Sequence, residues 1–275
     1  MGKAAHTPHN GDMSAASTRP WAAVAVLLFA PSIEAQAPQL TLAPSYSTAT
    51  IANTATSLNS GFAPNSMMTI YGTNLSFSDA AGTSTNQLPT GINGVSVYLG
   101  STAAGLFYVS PQQINVLIPY SFTGGPITVR VVREGTAGPS VPIELTAAAP
   151  GLFQSAPNTL VATHADNSMI SASSPASAGE VIVIFATGLG ATTPDQADGF
   201  VPVHPARLSN MASLTVLLNG VPLAPAYIQY AGISPGCAGL YQINLQLPTP
   251  LPANPEIRIA VETNMSQPSM YLPTR

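Results

Sequence analysis

The chain has 275 residues with 7 Lys or Arg and 11 Asp or Glu, a formal net charge of −4, 45% hydrophobic and 7% charged residues, and one cysteine. So few cations cannot neutralise a run of phosphates, which argues against a nucleic-acid partner, and one thiol forms neither an internal disulfide nor a multi-cysteine metal site. Gly 22 and Pro 27 together make about 18% of the sequence, below the roughly 25–30% of low-complexity disorder, so the chain is expected to fold.

Lys3 and Arg19 precede the apolar run WAAVAVLLFA at 21–30, which gives way to small residues. A positive start, a ten-residue apolar stretch and a small-residue exit predict a secretory signal peptide over residues 1–35, cut after Ala35, with Met1 or Met13 as the start. The run is shorter than the roughly 20 residues a membrane span requires, and no later run reaches that length, so no transmembrane anchor is expected. The mature chain holds five Arg against nine acids.

Beyond residue 36 the pattern changes to short apolar or alternating runs separated by Pro, Gly, Asn and Ser. Strands are predicted in SMMTIYG (66–72), GVSVYLG (94–100), INVLIP (114–119), ITVRVV (127–132), VPIELTA (141–147), VIVIFA (181–186), LTVLLNG (214–220), YQINLQLP (241–248) and IRIAVE (257–262). In ITVRVV, Ile127, Val129 and Val131 share one face and Thr128, Arg130 and Val132 the other. Strands this short and closely spaced argue for β-sandwiches. No mature segment carries a capped helical period.

The elements recur. PNSMMTIYGTNLS at 64–76 aligns with AGEVIVIFATGLG at 178–190 at an offset of 114, VSVYLG with TVLLNG at 120, and QINVLIP at 113–119 with QINLQLP at 242–248 at 129. A repeat kept in order predicts tandem domains of one fold. The fold class is therefore all-β: two tandem immunoglobulin-like β-sandwiches behind a cleaved signal peptide, over 36–148, with an extended N-terminal segment at 36–60, and 149–275. The boundary falls in AAAPGLF at 147–153, whose apolar Leu152 and Phe153 predict sandwiches packed against each other.

The ordered string IYGTNL, LPTGINGVSVYLG, YVSPQQINVLIP, APGLF, PASAGEVIVIFATGLGATTP, ADG and GLYQINLQLP resembles the Solibacter-type uncharacterised C-terminal domain of secreted acidobacterial proteins, from about residue 49 to 261. Its first half is also similar to TIG/IPT immunoglobulin-like domains. The resemblance implies a scaffold and an exported setting, and the family it points to has no established activity; no cofactor is expected. It also implies turn roles for Gly72, Asn74, Gly188 and Gly199.

Candidate chemistry is sparse. His164 and His204, with Asp166, Asp195 and Asp198 near them in sequence, permit a Ser/His/Asp arrangement on paper, but no G-x-S-x-G elbow supports it; polar loop positions are the plainer reading. Asp195 and Asp198 in TTPDQADG could offer oxygen ligands to a cation, although the EF-hand spacing is missing and Asp198-Gly199 also reads as a turn. Cys237 has no nearby cation to activate it and reads as an inert thiol. Tyr108, Tyr227, Tyr230 and Tyr241 are candidates for a sugar-stacking platform, or for core rings with bonded hydroxyls. The sequons at Asn74 and Asn264 matter only in a glycosylating host. The sequence thus points to a secreted, non-enzymatic surface or extracellular interaction module whose partner is a protein or glycan. A carbohydrate-binding accessory module using the tyrosines is the alternative, and an extracellular hydrolase comes third.

Overall fold

Period-two alternation places the core. In the computed structural model, which describes residues 42–83 and 86–275, Val95, Val97 and Leu99 are buried while Ser96 and Tyr98 between them are half-buried on the other face. Ile257, Ile259 and Val261 repeat the pattern in the second half. The predicted leader at 1–35 lies outside the described residues.

The strands that carry the fold are β1 (Ile51–Asn53), β2 (Met67–Tyr71), β3 (Val95–Leu99), β4 (Gly105–Val109), β5 (Gln113–Leu117), β6 (Gly125–Arg133) and β7 (Val141–Leu145), then β8 (Ala162–His164), β9 (Val181–Thr187), β10 (Ala206–Leu208), β11 (Leu214–Leu218), β12 (Ile228–Ile233), β13 (Tyr241–Gln246) and β14 (Ile257–Val261). The helical elements among the described residues are 3-10 turns of three residues. Among the described residues these strands pair antiparallel. One sheet runs β1-β2-β5-β4, ending on the short strand Ala80–Ala81, and faces a second with β7-β6-β3. In the second half β9-β13-β12-β10 forms one sheet, with Gly151–Leu152 and β8 also paired to β9, and β11-β14 forms the core of the other.

The repeat predicted from sequence is the repeat of the fold. The triple β2-β5-β4 corresponds to β9-β13-β12, and the pair β3-β6 to β11-β14. Even the irregularities coincide: β4 skips a register step on β5 between Leu106 and Tyr108, and β12 skips one on β13 between Ile228 and Tyr230. Each sheet pair closes its own core. Met68, Ile70, Ile114 and Val116 meet Val97, Val129 and Val131 in the first, and Ile182, Ile184, Ile243 and Leu245 meet Val216, Ile257 and Ile259 in the second. Each such side chain contributes roughly 1.5–3 kcal/mol on burial.

Two details differ from the sequence expectation. The segment before residue 60 is not simply extended: it makes a 3-10 turn at Thr48–Thr50 and then β1, which pairs with β2. Its Ser45 exchanges backbone bonds with Thr73, each 2.9 Å. His164 is the last residue of β8 and not a loop residue, because Ala162 and Thr163 alternate against β9 and carry it into the ladder.

The passage between the halves is itself structured. Leu152 is fully buried in the second core, and Gly151–Leu152 pairs with Thr187 and Ala186. Leu88, Leu117, Val201 and Ala238 bury a small apolar seam between the halves, with half-buried Phe107 against it. Beside it the Thr187 hydroxyl donates to the Gly239 carbonyl (2.9 Å) and accepts from the Met67 amide (3.1 Å). Gly188 sits at φ +73 with the Ala149 carbonyl where a Cβ would be, so glycine is required there on both counts.

Candidate functional site

Register turns two stretches of alternation into a repeated surface motif. On the outward face of the first sheet, Tyr71 of β2 stands opposite Gln113 of β5, and Asn115 of β5 stands opposite Tyr108 of β4. On the second, Phe185 of β9 stands opposite Gln242 of β13, and Asn244 stands opposite Tyr230 of β12. Both copies thus set two aromatic rings diagonally across a strand that carries two side-chain amides. Within each copy the amides are tied: Gln113 Nε2 donates to Asn115 Oδ1 at 2.8 Å, and Gln242 Nε2 to Asn244 Oδ1 at 3.0 Å. That bond orients each amide pair along its strand, and the inward Ile114 and Ile243 between them anchor the row to the core.

The rows are accessible. Tyr71 is 44% exposed, and Phe185, Tyr108, Tyr230, Gln113, Asn115, Gln242 and Asn244 are half-buried. Tyr230 is held firmly, its hydroxyl donating to the Ile233 carbonyl (2.7 Å) and reaching that of Ala206 (3.1 Å), with the Arg207 guanidinium 5.2 Å from its ring centre. Burial pushes that phenol's pKa up. At the end of the second row, Thr163 is opposite Val183, is buried, and keeps a hydroxyl without a protein partner.

The four tyrosines singled out from sequence therefore separate. Tyr108 and Tyr230 belong to the rows. Tyr241 does not: its ring is fully buried, its hydroxyl donates to the Gly190 carbonyl at 2.7 Å, and desolvation drives its pKa far up, so it is a core residue with no face for a ligand. Tyr227 ends the 3-10 turn Pro225–Tyr227 and packs against the second core. Sequence reasoning missed Tyr71 and Phe185. They share the offset of 114 of the first aligned pair, and that coincidence was the available signal.

The carboxylates of Asp195 and Asp198 face the first half of the chain. Asp195 Oδ1 accepts from the Tyr120 hydroxyl (2.9 Å), and Asp198 accepts from the Ser121 amide (2.8 Å) and hydroxyl (2.7 Å). They fasten the 192–199 loop across the seam, and no group of three His, Cys, Asp or Glu that could hold a metal occurs among the described residues. Asn74 and Gly199 adopt positive φ, Asn74 presenting its carbonyl to the buried Arg133 at 2.6 Å. Gly72 packs its backbone against the Ser45 carbonyl, where a Cβ would collide. Cys237 is half-buried and its thiol pKa is raised by desolvation, the opposite of activation.

His164 makes the most conspicuous polar cluster. Its Nδ1 pairs with Glu180, and its Nε2 lies 3.1 Å from the Ser174 hydroxyl and 3.2 Å from the Ser174 carbonyl. The contacts resemble a hydrolytic triad, but the donors that would stabilise an oxyanion are missing from the nucleophile's own turn. The Ser174 amide is spent on Ser171, at 3.1 Å to its carbonyl, and the next residue, Pro175, has no N–H. The cluster instead fixes the loop between β8 and β9. His204 is an exposed loop residue, as read from sequence.

These features define an all-β protein of repeated immunoglobulin-like sandwiches. Residues 54–147, the first sheet pair, match the IPT/TIG domain family, which carries the TIG part of the resemblance drawn from sequence. No curated protein matches the chain. Among solved structures it is similar to the Bacteroides ovatus mixed-linkage glucan utilization locus protein SGBP-B in complex with a heptasaccharide (13% identity, TM-score 0.30, 74% of this chain and 38% of that one). Others are the plexin A4 extracellular region (12%, 0.28, 90% and 20%) and the xyloglucan-locus SGBP-B of Bacteroides uniformis (10%, 0.27, 84% and 50%). The chain spans half or less of these three proteins. At these TM-scores the likenesses carry no weight, and the fold rests on the chain's own strands. No helix among the described residues is long and apolar enough to cross a membrane.

Proposed function

We propose that the chain is a non-enzymatic interaction module that works outside the cell, a signal peptide at 1–35 exporting two sandwiches divided at 148/149, and that its partner binds the outward sheet faces. The observation that carries this is the duplicated aromatic–amide row, Tyr71, Gln113, Asn115, Tyr108 and Phe185, Gln242, Asn244, Tyr230. Half-exposed rings and oriented amides are costly on a surface that contacts only water, and stabilise a complex when a partner covers them. Two copies on one body supply the second contact at high effective concentration. The missing oxyanion donors at Ser174 support the non-enzymatic part.

The test is binding of labelled protein to the envelope and extracellular-matrix fraction of the producing organism. Tyr71→Ala/Tyr108→Ala and Phe185→Ala/Tyr230→Ala should each weaken retention, while His164→Ala should not. Retention unchanged in both row variants would remove the reading.

A further inference from the structure

We infer that the two rows recognise an uncharged polysaccharide, each row taking one short stretch of the chain; this deepens the reading of the rows as the binding surface and rests on it. The first ground is spacing. The two rings of a row stand on strands flanking a middle strand and two residues apart along it, so strand geometry puts them roughly 12 Å from each other. Between them lie two amides already fixed by their mutual bond. A ring pair this far apart cannot clamp one small molecule. It suits a linear chain of flat rings that offers apolar C–H faces at intervals and hydroxyls between them. Side-chain amides both donate and accept, as vicinal hydroxyls require.

Charge is the second ground. No Asp, Glu, Lys or Arg stands in the first row, and the one cation beside the second, Arg207, lies against the Tyr230 ring. At the first row a polyanion or polycation would lose hydration without gaining a counter-charge. Extent is the third. A stable protein partner covers about 800 Å² and 20–30 residues a side, far more than four side chains in a row, whereas a polymer strand only one ring wide needs no more.

Affinity electrophoresis of the full protein in gels containing hydroxyethyl cellulose, xylan or a galactomannan tests this, with polygalacturonate as the charged control and thermal melting as the check on folding. At least one neutral polymer should retard the protein and polygalacturonate should not. Either double variant, Tyr71→Ala/Tyr108→Ala or Phe185→Ala/Tyr230→Ala, should weaken binding about tenfold. Tyr71→Trp, which keeps the stacking face, should retain it. If the second-row variant fails to fold, the exposed first row decides alone. Retardation by no neutral polymer, or by all of them equally in wild type and row variants, overturns the inference. The envelope fraction separates this failure from that of the broader reading. Row-dependent binding destroyed by periodate supports the polysaccharide. Row-dependent binding that survives periodate but not protease leaves the interaction module standing and removes the sugar.

Discussion

The Tyr46 hydroxyl closes the first sandwich by working in both directions, accepting from the Val131 amide at 2.7 Å and donating to the Pro139 carbonyl. Tyr46→Phe strands the Val131 N–H in a buried setting, which costs about 1–3 kcal/mol. Urea unfolding should show that loss, with the slope unchanged. Tyr241→Phe removes the bond of a fully buried hydroxyl to the Gly190 carbonyl: stability should fall by a similar amount while retention on the envelope fraction stays at the wild-type level. His164 differs because its contribution titrates. Its bond to Glu180 comes first among the causes that raise its pKa, with the Ser174 carbonyl and the Asp166 charge adding to this. A raised folded pKa means that the stabilisation is fully present below the unfolded value of about 6.5 and is lost as pH rises through the folded value. Thermal midpoints of wild type and His164→Ala should therefore be farthest apart near pH 6 and converge at higher pH. A gap that widened with pH would refute the ion pair.

The strands show how much the linear order of residues discloses. β2, β3, β5, β9, β11, β13 and β14 announce themselves because alternation and flanking turn residues agree, and the offsets between copies are offsets between equivalent strands. β4 and β12 were harder to see: the skipped step at Phe107 and at Gln229 breaks the period of two that identifies a strand. β1 and β8 are too short to show a period at all. The candidate site was half-readable for a related reason. Alternation says that Gln113 and Asn115 share a face, but which aromatic stands across from each depends on register with strands distant in sequence. Tyr241 shows the converse, since the same alternation that puts Gln242 outward puts its neighbour Tyr241 inward. Turn chemistry was more direct. Gly188→Ala should destabilise by more than about 1 kcal/mol, because the left-handed backbone and the Ala149 carbonyl both oppose a Cβ, and urea unfolding measures it.

Whether the sandwiches act as one body depends on which part of the seam dominates. At its edge the Asp195 and Asp198 bonds to Tyr120 and Ser121 are exposed to water, where a hydrogen bond contributes about 0.5–1.5 kcal/mol net. In its centre Leu117 is 1% exposed, packed with Leu88, Val201 and Ala238 and facing the Gly239 backbone. Truncating a buried leucine costs about 2–5 kcal/mol, so the apolar contact should govern. The wild-type protein should then unfold in a single calorimetric transition. Asp198→Ala should leave it single and shift it slightly, whereas Leu117→Ala should split it, the two sandwiches melting separately because each retains its own core. A single transition in Leu117→Ala, or a split in Asp198→Ala, would reverse the ranking and make the polar edge the element that couples the halves. The outcome bears on the rows as well: with the halves locked, both rows are presented by one rigid body, and losing one should weaken binding to a polymer more than the loss of half the sites explains.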